Sequence, residues 1–223
     1  MMQLFSAIKS STLAISLFAV VCAGVIAVTQ VTTIDKITAN EREFKAKALY
    51  EIVPRESIDN QLLEDTFEIQ IAELGHHQPV MAYRAKKDGL VKAVILPVTA
   101  PDGYSGNINL IVGINANASV AGVRVLAHKE TPGLGDKIET KKSNWIMSFN
   151  GQSKNTGKGP SWADKSWAVK KDGGQFDQFT GATITPRAVV NAVGRALDYF
   201  AANRAELLQL KPETKQPSTE VTQ

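Results

Sequence analysis

The sequence predicts an α+β protein: a single N-terminal transmembrane helix, then a domain with an antiparallel sheet and packed helices. Three observations predict it. The run from Ser10 to Ile34 carries no charge. Leu90 to Val98, Ile108 to Asn115 and Val120 to Ala127 are strand-like runs separated by turn residues. A helix with one apolar face opens beside Thr185 and Pro186.

The apolar run comes first. About 25 helical residues reach roughly 37 Å, enough for a bilayer core with some tilt. A cleaved leader usually has only about 7–15 apolar residues, so residues 10–34 read as an uncleaved anchor. A cleaved leader ending near Ala23 to Thr29 stays open as an alternative. Val21 before Cys22 argues against lipoprotein processing. Lys9 precedes the run with no acidic residue before it, while Asp35 and Lys36 cancel after it. The positive-inside bias therefore puts residues 1–9 in the cytoplasm and the remainder outside.

Residues 35–88 read as a membrane-proximal helical region. Ile34 to Tyr50 is a helix on which Phe44, Ala48 and Leu49 share a face, and Pro54 limits it. Val53 to Leu74 reads as a short helix and a loop or edge strand. Residues 89–210 form the main domain, starting with a meander of at least three strands. Asp136 to Phe149 has helical spacing in Ile138, Trp145, Ile146 and Phe149. Asn150 to Gly159 is a polar loop. In the last helix Thr185 reads as N-cap and Pro186 as the first helical residue, with Val189, Val193, Ala196, Leu197 and Phe200 on one face. Residues 211–223 lack apolar content and read as a disordered tail. Trp145 reads as core, and Trp162 and Trp167 as surface-loop anchors.

Composition narrows the function classes. A net charge of +3 without a basic, aromatic-interleaved patch gives no sign of nucleic-acid binding. The lone Cys22 makes neither an internal disulfide nor a thiolate metal site. No residue set reads as catalytic or metal-binding. His76 and His77 read as a solvated loop, and His128 as a group that could tune a bound cofactor.

The chemistry lies in Asp177-Gln178-Phe179-Thr180-Gly181-Ala182-Thr183-Ile184-Thr185-Pro186. It is a small-residue turn feeding a helix N-terminus, where free backbone N–H groups and the helix dipole favour phosphate. On these grounds alone, ordinary helix capping is the commoner reading. Arg187, in the first turn after it, is a candidate to neutralise a phosphate. Lys170 and Lys171 are weaker ones.

Asp177-x-x-Thr180-Gly181-Ala182-Thr183 resembles the flavinylation motif of the FMN-binding domain family. The resemblance implies that FMN is joined through its phosphate to the hydroxyl of Thr183, with Asp177, Thr180, Gly181 and Ala182 completing the motif. Glu130-Thr131-Pro132-Gly133-Leu134-Gly135 is similar to a family loop beside the isoalloxazine ring. It adds Glu130, Thr131, Gly133 and Leu134 as cofactor-binding candidates. Gly103-Tyr104-Ser105-Gly106 resembles a family turn, but by its residues a plain hairpin turn is the favoured reading.

Within that family the chain resembles the G subunits of Rnf (Rsx) ion-translocating electron transport complexes. The C-type subunits of the sodium-pumping NADH:quinone reductase are the related alternative. An anchored binding module with no redox role is the alternative of another class. The resemblance implies an electron-carrier subunit that is not a complete enzyme alone. It implies partner subunits and a maturation partner, a flavin transferase that uses FAD and Mg²⁺. It also implies a bacterial inner membrane location with the flavin domain on the periplasmic side.

Overall fold

The computed structural model describes residues 2–154 and 166–209. The expectations for Trp162, for residues 155–159 of the Asn150–Gly159 loop and for the tail lie outside them. The chain divides into two units, Met1–Lys45 and Ala46–Gln223.

The first unit is helix only, the larger part of α1 (Met2–Ile52). Its apolar side chains, from Leu13 through Phe18 and Val25 to Ile37, are exposed. A helix that is apolar all round suits lipid, and this one is long and apolar enough to cross a membrane. Its threonines fit that setting. The hydroxyls of Thr29, Thr32 and Thr33 donate to the carbonyls of Val25, Val28 and Thr29 at 2.7–2.9 Å. Each polar group is thereby satisfied within the helix.

The second unit is built on five antiparallel strands in sequential order: β1 (Thr66–Ile69), β2 (Val80–Lys87), β3 (Leu90–Gly103), β4 (Gly106–Asn115) and β5 (Val120–Ala127). Side chains alternate across the sheet. Val94, Leu96, Leu110 and Val112 join the core under α2 (Ile184–Leu207). Ala93, Ile95 and Ile111 join a second core with Ala48, Leu49 and Ile52 from the end of α1. Both faces of β3 and β4 are thus covered, which explains why these strands read as continuous apolar runs. Gly113 is required where α1 ends: a Cβ there would collide with Ile52. The turn after Ile52 agrees with Pro54 as a stop.

The expectation that residues 35–88 are helical needs correction, because β1 and β2 both lie within them. Met81-Ala82-Tyr83-Arg84-Ala85-Lys86 has helix-forming composition, yet the pairing of Tyr83 with Ile95 and of Ala85 with Ala93 makes it a strand. Tertiary pairing outweighs a local preference of a few tenths of a kcal/mol per residue. Arg84 is buried there. Its guanidinium lies 4.0 Å over the Phe67 ring and its Nε donates to the Leu207 carbonyl at 3.2 Å. Burial pushes its pKa down, against the pull of Asp65 and Glu206.

Two further corrections concern the segment before α2. The expected helix over 136–149 is two short 3-10 turns, Asp136–Ile138 and Trp145–Phe149. Ser143 separates them: its hydroxyl donates to the Lys137 carbonyl and accepts from the Trp145 N–H. Local side-chain bonds of this kind compete with a helical ladder. Trp167 is no surface anchor. It is buried, its Nε1 donates to the Val190 carbonyl at 2.9 Å, and its ring meets Phe149 and Phe176. Trp145 is half-buried and meets Phe149 and Phe179 edge-on.

Candidate functional site

Three pieces of the second unit converge on one open cleft of about 350 Å³. The β3–β4 hairpin brings Tyr104. The segment after β5 brings Glu130, Thr131, Leu134 and Gly135. The entry to α2 brings Gly181 through Thr185. The volume is in the range of small-molecule sites.

The entry to α2 is shaped by Gly181, whose φ of +80° belongs to glycine. The Phe179–Ala182 pairing closes the turn. Helix α2 then starts at Ile184, two residues before the position expected. Thr183 is therefore the residue before the helix, and Thr185 is not the cap. The Thr183 side chain caps no backbone N–H. By helix geometry the first N–H groups of α2 have no intrahelical partner either. Thr185 is 1 % exposed, and its hydroxyl donates a hydrogen bond to Glu130 Oε2. Two hydroxyls two residues apart thus differ: one is consumed inside, the other lines the cleft.

The opposite wall is a compact turn. The N–H groups of Leu134 and Gly135 donate to the Thr131 carbonyl, and the Gly133 N–H donates to Asp136 Oδ1 at 2.8 Å. Gly133 has φ +79°, and Gly135 leaves no room for a Cβ beside Glu130 and Thr185. Leu134 is left 43 % exposed, facing Gly181 across the cleft, and Ile184 is 45 % exposed. With Tyr104 they make an apolar rim beside a helix start. An aromatic ring system carrying a phosphate fits this combination: apolar walls for the ring, unpaired N–H groups and a hydroxyl for the phosphate.

The structure sorts the other candidates. Asp177 faces away, exposed and paired with Lys170 at 2.6 Å, and its carbonyl accepts from Trp145 Nε1. Thr180 and Gly133 do not line the cleft, whereas Thr131 and Ala182 do. Arg187 is held by Asp172, with Nε and Nη2 donating at 2.6 and 2.9 Å. That bond holds the Asp172 carboxyl below the usual range and raises the Arg187 pKa. Glu130 turns inward rather than presenting its carboxylate to the cleft: both oxygens already accept protein donors. His128 serves the same segment. Its Nδ1 accepts from the Glu130 N–H and its Nε2 lies 2.7 Å from Glu139. Sequence reasoning missed Gly135 and Ile184 as cleft residues, and Thr185 as an internal bond. Gly135 was visible within the Gly-Leu-Gly turn; nothing in the sequence announced the Thr185–Glu130 contact.

Known proteins match along the same lines. Residues 103–198 match the FMN-binding domain family, and residues 1–52 match the RnfG N-terminal region family. The G subunit of the ion-translocating oxidoreductase complex from Shewanella piezotolerans is 48% identical, over 88% of this chain and 91% of the relative. The one from Pseudomonas aeruginosa is 50% identical, over 89% and 91%. The chain belongs to the family of G subunits of ion-translocating oxidoreductase complexes. The FMN-binding domain match spans every residue that lines the cleft, from Tyr104 to Thr185. A crystal structure of Shewanella oneidensis NqrC aligns with TM-score 0.47 at 22% identity, over 68% of this chain and 73% of that one. That superposition is too loose to carry any residue across.

Proposed function

We propose that this chain carries FMN as a phosphoester on Thr183 and serves as an electron-transfer subunit of a membrane-bound ion-translocating oxidoreductase complex. Membership of the G-subunit family and the FMN-binding domain support the electron-transfer role. One observation carries the choice of Thr183: its side chain caps nothing and lines the cleft, while the neighbouring Thr185 hydroxyl is consumed by Glu130.

When bound, FMN supplies the redox chemistry; the protein anchors it and sets its surroundings. Thr183 would hold the phosphate, and the start of α2 would offer it N–H groups and the positive end of the helix dipole. Leu134 and Ile184 would shelter the ring from water. Asp177, Thr180 and Arg187 lie outside the cleft, so their part would be in presenting the segment for modification.

Attachment needs an outside catalyst, because a threonine hydroxyl is a poor nucleophile at neutral pH and, among the described residues, no base is hydrogen-bonded to the Thr183 side chain. A flavin transferase working on FAD with Mg²⁺ would supply it. The Thr183 oxygen bonds to the phosphorus of the FMN half. The P–O–P bridge breaks, AMP leaves, and the hydroxyl proton passes to the transferase or solvent. Residues 1–9 lie in the cytoplasm, α1 spans the bacterial inner membrane, and the cleft faces the periplasm. The identity of the relatives favours this over a C-type subunit of the sodium-pumping reductase.

Peptide mass spectrometry on protein from its native membrane tests the reading. The peptide containing Thr183 should carry one FMN less one water. An unmodified peptide beside an active flavin transferase would sink it in favour of a non-redox binding module. Protease added to intact spheroplasts should digest the domain after α1; full protection would reverse the orientation.

A further inference from the structure

We propose that Glu130 is the positioning residue of the flavin-acceptor segment. Its buried carboxylate ties the β3–β4 hairpin to the first turn of α2, and so fixes the angle at which Thr183 presents its hydroxyl. This rests on the reading of Thr183 as acceptor.

Glu130 is 4 % exposed, and among the described residues no ion pair reaches it. A buried carboxylate without a cation is a costly way to stabilise a fold, since an apolar residue would fill the space as well. What it does provide is a fork. Oε1 accepts from the Ser105 N–H at 2.9 Å, at the tip of the hairpin. Oε2 accepts from the Thr185 hydroxyl, in the first helical turn and two residues past Thr183. The fork is itself held: the Glu130 N–H is bonded to His128 Nδ1 at 3.0 Å, and His128 Nε2 lies 2.7 Å from Glu139.

Two glycines keep room for it. A Cβ on Gly103 would come within 3.0 Å of Glu130 Oε1, and one on Gly135 within 2.9 Å of both Glu130 Cβ and Thr185 Oγ1. The three pieces that converge on the cleft therefore meet at this one carboxylate. It acts on Thr183 through Thr185.

The test is the rate of covalent loading of the full-length protein in detergent, with purified flavin transferase, Mg²⁺ and FAD, against acceptor concentration. Glu130→Ala should lower kcat about tenfold or more with little change in KM for the acceptor, as expected for misalignment of a reacting group. Thr185→Val, nearly the same shape, should reproduce that loss. The double variant should be no worse than either single one, because both cut the same bond. Glu130→Gln should recover most of the rate, since an amide can accept from Ser105 and still reach Thr185.

Wild-type rates in both Glu130→Ala and Thr185→Val would overturn the proposal. So would a Glu130→Gln variant as slow as Glu130→Ala, because charge rather than position would then be at work. Thr183→Ala, run beside them, reports on the acceptor reading separately. If it still takes covalent flavin, that reading fails and the proposal fails with it.

Discussion

The two walls of the cleft differ in how their polar groups are used. In the Glu130–Asp136 wall, the carbonyl of Thr131, the carboxylates of Glu130 and Asp136 and the N–H groups of Gly133, Leu134 and Gly135 all bond within the protein. In the wall formed by residues 181–185, among the described residues, the Thr183 side chain makes no capping bond and the N–H groups of Ile184 and Thr185 have no intrahelical partner. The first wall is a finished template that presents Leu134. The second is the one at which a ligand gains something by binding. Family resemblance alone treats the two loops as equal contributors to a cofactor site; hydrogen-bond accounting separates the bonded wall from the open one.

The largest expected effect tests the open wall. Thr183→Ala should abolish covalent flavin while leaving the melting temperature close to wild type, because the Thr183 side chain makes no capping hydrogen bond. Thr183→Ser should keep the flavin. In-gel flavin fluorescence under denaturing conditions reads both, and a fluorescent Thr183→Ala band would erase the distinction between the walls.

Next comes the closed wall. Gly135→Ala forces a methyl against Glu130 and Thr185, and overpacking of this kind costs about 1–3 kcal/mol. Chemical denaturation should show that loss, together with slower loading. Unchanged stability would mean that the wall is looser than its contacts indicate.

Gly181→Val should be milder for stability and still harmful for loading. Its φ of +80° costs a β-branched residue about 1–2 kcal/mol, and the added side chain grows toward Leu134, already 3.8 Å from the Cβ position. Normal flavin loading in this variant would count against a ligand between Gly181 and Leu134.

The smallest effect belongs to Arg187→Ala, because Arg187 and Asp172 form an exposed pair outside the cleft. Loading should stay within about twofold of wild type, as for most surface ion pairs. The Asp172 carboxyl is held below its usual range by the hydrogen bond from Arg187. The pair's small stabilisation is therefore present above the ordinary carboxylate range and is lost as pH falls below that range through the lowered Asp172 pKa. Melting curves of wild type and Arg187→Ala should converge toward acid pH; a gap that widens there would reverse the sign.

Much of this was legible in residue order. The uncharged run from Ser10 to Ile34 announces a helix able to cross a membrane because lipid demands apolar groups on every side, and α1 exposes them on every side. The runs in β3, β4 and β5 and the apolar face of α2 follow from periodicity, a local property. The Asp177–Thr183 motif is readable as a proposed acceptor segment because it is contiguous. What local order did not carry was decided by contacts distant in sequence. β2 is a strand because β3 pairs with it, although its residues favour helix. Trp167 is buried because α2 offers the Val190 carbonyl to its ring nitrogen. Thr185 is an internal tie rather than a cap because Glu130, 55 positions earlier, meets it. A hydrogen bond between residues so far apart leaves no periodic or motif trace in either segment, so only the folded chain shows which of the two threonines is free.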